Sequence, residues 1–281
     1  MNESFSGFDP DAAKEALARA KRLSGSDSTD ADPAEVRKAW DEAVELTLPA
    51  AESDPFFASQ ALHALRKAGR IDEALTLARQ VVADFGEDRW VRSNAAWAWY
   101  DAAKRASGDL SETIDALRQV TELMQPLADQ AILADATYYQ LRKLFPRPES
   151  NEPPSSGDAD RSTPPTASPA LRPKEAVDFL VEVFELLLPA CSTIVKENRQ
   201  TGGSIPSAKE QLARLARRVL LEERRWDDLS YTLELTLREL PLPIFAETRV
   251  EALLELETPE EALRVVDAFT RDHSPTSRLT R

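Results

Sequence analysis

A short phrase recurs along this chain, and it constrains the fold more than any other feature. Ala61-Leu62-His63-Ala64-Leu65-Arg66-Lys67-Ala68-Gly69-Arg70-Ile71-Asp72-Glu73-Ala74-Leu75 ends one apolar-periodic stretch on a glycine and opens the next with two acids. Gly69 suits a helix C-terminus that needs a left-handed backbone, and Asp72 and Glu73 favour the positive N-terminal end of the helix that follows. Ala74 is small where two helices have to approach closely. The phrase returns in Gly108-Asp109-Leu110-Ser111-Glu112-Thr113-Ile114, in Arg225-Trp226-Asp227-Asp228-Leu229 and in Thr258-Pro259-Glu260-Glu261-Ala262-Leu263, with a fainter echo at Glu175-Ala176-Val177.

Helical periodicity covers the rest of the chain outside a few breaks. The spacing predicts helices over 10–24, 33–48, 55–68, 71–85, 88–106, 110–125, 129–145, 174–198, 206–223, 226–239, 244–256 and 259–271. Helices this short are marginal in isolation and need neighbours to pack on. Tight turns between consecutive pairs therefore imply an all-α solenoid of stacked antiparallel hairpins. From 147 to 172 the composition turns to Pro, Ser, Thr, Asp and Gly with almost no large apolar side chain, which reads as a disordered insertion. It separates N-terminal helical repeats over 1–146 from C-terminal repeats over 173–281 that continue the same solenoid. Two further flexible spots are expected, at Ser24 to Asp32 and at Gln200 to Pro206.

A period near 34 residues with this grammar resembles the tetratricopeptide repeat, a helix–turn–helix unit. The resemblance is best over 55–125, where Ala61, Leu65, Gly69, Ala74, Ala95, Ala96, Trp99, Tyr100 and Gly108 fall near the family's positions. It implies about twelve helices in a right-handed superhelix, with the first helix of each unit lining a concave ligand groove. On that register Phe56, Ser59, His63, Arg66 and Lys67 share the groove with Trp90, Ser93, Trp97, Tyr100 and Asp101. An aromatic floor with a basic edge results. Trp97 and Trp99 point about 200° apart on one helix, so Trp97 is assigned to the groove and Trp99 to the interhelical core. The family's carboxylate-clamp subclass needs Lys and Asn where this chain has Ser59 and His63, so only Asn94 matches it.

Composition excludes most chemistry. The 281 residues carry 49 acids against 35 bases, a net charge of −14, which repels a polyanion. Local arginines (Arg214, Arg217, Arg218, Arg224 and Arg225) nevertheless support a second reading as a nucleic-acid-associated helical repeat. A single cysteine, Cys191, and two histidines, His63 and His273, leave no disulfide and no Cys/His metal set. Cys191 lies in an apolar helical stretch and reads as a buried, inert thiol. No phosphate-loop, dinucleotide, zinc-protease or nucleophile-elbow motif is present. The sequence thus points away from an enzyme and from any cofactor. It points toward a cytoplasmic adaptor, scaffold or regulatory subunit that binds a protein or peptide, without a membrane segment. The last helix, with Ala262, Leu263, Val265, Val266 and Phe269, looks more apolar than a terminal cap requires.

Overall fold

The computed structural model describes residues 8–25, 31–106, 108–125, 131–146, 173–197 and 204–273. The 147–172 segment lies outside them, as do 26–30 and 198–203, so the expectations placed on those residues have no structural counterpart here. Among the described residues the chain is almost wholly helical. The helices are α1 (Pro10–Leu23), α2 (Pro33–Thr47), α3 (Pro55–Ala68), α4 (Ile71–Phe85), α5 (Arg89–Arg105), α6 (Leu110–Met124), α7 (Ala131–Lys143), α8 (Lys174–Ala190), α9 (Ala208–Glu222), α10 (Trp226–Glu239), α11 (Pro243–Glu255) and α12 (Pro259–His273). Two compact units divide the chain, residues 1–133 and 134–281.

Local chemistry starts the helices where they start. Asp9, Asp32 and Asp54 each stand before a proline at the first helical position and accept backbone N–H groups of the first turn. Asp88 and Asp109 cap α5 and α6 in the same way. Carboxylate caps satisfy donors that a helix leaves open, and proline there gives up no hydrogen bond.

At three of its places the recurrent phrase proves to be a recurrent left-handed turn, whereas Gly108 before α6 has no positive φ. Gly69 closes α3 with φ +79°, and the N–H of Arg70 reaches back to the carbonyl of Leu65 at 2.9 Å. Arg224 after α9 (φ +54°) and Glu257 after α11 (φ +57°) adopt the same left-handed conformation without being glycine. Their bonds repeat the pattern: Arg225 N–H to Leu220 O and Thr258 N–H to Leu253 O, both 2.9 Å. Each turn carries the chain directly into the next helix. The residue five places after each left-handed position (Ala74, Leu229 and Ala262) is buried. One sequence phrase, one turn geometry and one buried position therefore coincide three times.

In the first unit α2 packs on α1 and α3, α3 packs on α4 and α5, and α5 packs on α4 and α6. The hairpins α1–α2, α3–α4 and α5–α6 thus stack in sequence order, an all-α helical repeat. Trp40, Leu62, Leu65 and Leu117 are fully enclosed, and Trp40 Nε1 donates to Ser24 Oγ at 2.7 Å. In the second unit α8 packs on α9 and α10, followed by α10 on α11 and α11 on α12. Phe179, Phe184, Tyr138 and Phe245 fill its interior.

Helix α8 ends at Ala190, eight residues short of the expected boundary. Pro189 lacks the N–H for its last turn, and Cys191 turns extended at ψ 145°. The chain then runs through β-branched Thr193, Ile194 and Val195 into β1 (Lys196–Glu197), paired antiparallel with β2 (Ser204–Ile205) in the register Lys196 to Ile205. Asp135 of α7 holds this exit, accepting from the Ser192 N–H at 2.9 Å and its hydroxyl at 2.6 Å. At the far end, Leu263 and Val266 of α12 stand exposed, as the apolar character of that helix suggested.

Candidate functional site

The first helices of the three N-terminal hairpins, α1, α3 and α5, line an open depression of about 500 Å³. Of the ten residues the sequence assigned to a groove, seven line it: Ser59, His63, Arg66, Lys67, Trp90, Ser93 and Trp97. Lys21, Gln60 and Asn94 complete the wall. A second depression of about 480 Å³ shares Arg66 and Lys67 with the first and adds Ile71, Asp101, Lys104 and Arg105. Phe56 and Tyr100 line neither. Phe56 is exposed near the start of α3 with its ring edge-on to Phe57, and Tyr100 stands edge-on to Trp97 at 5.2 Å.

Arg66 is the hub. Its Nε donates to Asp101 Oδ2 at 2.8 Å, and its guanidinium lies over the Trp97 ring at 5.4 Å. Burial lowers the Arg66 pKa while Asp101 opposes the shift, the pattern of a charge retained in a partly dry place by its partner. Beneath it, Ser59 is 2% exposed and accepts from Asn94 Nδ2 at 3.0 Å. That bond ties α3 to α5 at the groove floor. Trp90 forms a rim, with 64% of its surface in solvent.

His63 reports on the field inside. Its pKa is lowered to about 4, first by burial and then by the positive charges of Arg66, Lys67 and Lys21, with a hydrogen bond to the Asn94 side chain opposing the shift. Its ring also meets the buried Trp40 edge-on at 5.2 Å. The groove therefore holds a neutral imidazole at physiological pH.

Trp99 departs from expectation. It is half-buried rather than enclosed, and the guanidinium of Arg79 lies over its ring at 4.9 Å. The buried stripe of α5 is built instead from Val91, Ala95, Ala96, Ala98 and Ala103. Lys21 was missed for a different reason. The first hairpin matches the repeat only in topology, so no register placed its last turn against α3. Arg105 was also left out, whereas helical projection already sets Lys104 on the same side of α5 as Trp97 and Asp101.

Four of the five arginines behind the nucleic-acid reading are engaged within the protein. Arg214 pairs with Glu210, Arg217 donates to Thr248 Oγ1 at 2.6 Å, and Arg218 donates to the Phe145 carbonyl at 3.0 Å. Arg225 is held between Asp178 and Asp228. Cys191 is buried, its thiol pushed up to about 12 by burial and by Asp135. Among the described residues no three His, Cys, Asp or Glu side chains converge on a metal position. No described helix is long and apolar enough to cross a membrane. A scan of the chain against protein-family models finds no match, and a search of curated proteins finds none either.

Proposed function

We propose that this chain is a non-enzymatic interaction module of the tetratricopeptide type, an adaptor or regulatory scaffold. It seats a peptide or partner helix across α1, α3 and α5. One observation carries the reading. The depression is open, and it presents His63 and Arg66 from α3 and Trp90 and Trp97 from α5, the first helices of successive hairpins, with the Arg66 guanidinium over the half-buried Trp97 ring and Trp90 exposed at the rim. Aromatic and arginine side chains are the residue types that anchor protein interfaces. Curved helical repeats present many such side chains on one face at once.

The test compares partners retained by the wild-type chain and by Trp97→Ala in affinity purification with mass spectrometry. Trp97 is only half-buried, so the variant should melt within a few degrees of wild type. Truncating an aromatic anchor costs about 2 kcal/mol or more of binding. Partners that bind through the groove should therefore be lost selectively. An unchanged partner set with Trp97→Ala would remove the groove from the reading.

A further inference from the structure

The groove is basic on an acidic protein. Its two adjoining depressions hold five cations, Lys21, Arg66, Lys67, Lys104 and Arg105. Two of these are neutralised, Arg66 by Asp101 and Arg105 by Asp72. Lys21, Lys67 and Lys104 have no carboxylate partner among the described residues. Lys21 donates only to the Gln60 amide, and Lys104 lies near the Tyr100 ring. Three unneutralised lysines from three different helices thus face one groove on a chain of net charge −14. Their order is fixed by the walls. Lys21 lines the first depression, Lys104 the second, and Lys67 both.

Resting on the groove reading above, we propose that the occupant is an acidic polypeptide segment. Its carboxylates meet Lys21, Lys67 and Lys104 in turn, and an apolar side chain between them rests on Trp97. A single small anion would satisfy one depression, whereas the lysines extend through two. Lysine ammonium groups suit scattered carboxylates, being point charges on flexible stems rather than planar forks. A nucleic acid carries a phosphate at every step, so most of it would face the acidic remainder of the chain. The field within the groove has the same sign: the charges that act on His63 from α1 and α3 are all positive.

Displayed random dodecapeptides selected on the full chain test this directly, with the Lys21→Gln/Lys67→Gln/Lys104→Gln variant as the parallel target. Selection on wild type should enrich Asp and Glu, and selection on the variant should not. A synthetic copy of the enriched peptide should then bind wild type at least tenfold more tightly than the triple variant. It should also bind at least tenfold more tightly than its own copy with Asn and Gln in place of the acids, and weaken as salt rises. Equal melting temperatures for the two proteins exclude misfolding of the variant. Enrichment of neutral or basic peptides overturns the acidic occupant. If those peptides still lose affinity with Trp97→Ala, the groove reading survives; if they do not, both fall. Failure to enrich any peptide also overturns both. Binding of a twelve-nucleotide oligo-dT as tight as that of the peptide overturns the proposal in favour of a nucleic acid.

Discussion

His63 makes the electrostatics of the groove measurable through stability. Its imidazole is held neutral by burial and by Lys21 on α1 and Arg66 and Lys67 on α3, against a hydrogen bond to Asn94 on α5, while Trp40 of α2 meets the ring edge-on. The pKa is about 4 in the fold against 6.5 for the free side chain. Below pH 6.5 the unfolded chain takes up a proton that the native state refuses. Stability from this group is therefore complete above pH 6.5, falls as acid is added, and has gone below pH 4. A difference of two and a half pKa units corresponds to about 3 kcal/mol in total, of which about 2 kcal/mol is lost between pH 7 and pH 5. Carboxylates titrate in the same range, so the measurement is a difference. Urea unfolding of wild type and His63→Gln at pH 7 and pH 5 gives four free energies. Wild type should lose about 2 kcal/mol more than the variant on going to pH 5. Parallel losses, within about 0.5 kcal/mol, would mean that the imidazole is solvated and that the groove is less positive than its lining implies.

The repeated turn gives two opposite outcomes. Gly69→Ala meets no atom within 4 Å of its new Cβ, so its cost is purely that of the left-handed backbone, about 1–2 kcal/mol in denaturant unfolding. Arg224→Gly removes the same penalty, at φ +54°, and should raise stability by up to about 1 kcal/mol in the same denaturant unfolding. Ala74 is fully buried beside the α3–α4 turn, and Ala74→Leu should cost roughly 1–3 kcal/mol by overpacking, read as a lower denaturation midpoint.

Much of this protein could be read from residues alone because the information is local. Proline and aspartate mark helix starts by their own stereochemistry, and the Gly69 turn is written in a few consecutive residues. Helical periodicity placed α3, α4 and α10 at their observed boundaries, and the repeat register put Ser59, His63, Arg66 and Trp97 on one wall. The end of α8 was misplaced because an apolar run continues the helical pattern past Pro189, and only the backbone shows where the hydrogen bonds stop.

What the tertiary structure decided is who stands beside whom. Lys21 lies 39 positions before Gln60 in the chain, and nothing in the weak first hairpin indicates that the two meet. Arg66 and Asp101 are separated by a whole hairpin, and so are Asn94 and Ser59. Trp99 was expected in the core because it points about 200° away from Trp97 on the same helix. It lies half-buried instead, under the guanidinium of Arg79 from α4. Helix formation follows from bonds within four residues, which the sequence states directly. The charge of the groove and the exposure of its rings depend on distances between helices, and those are set by packing.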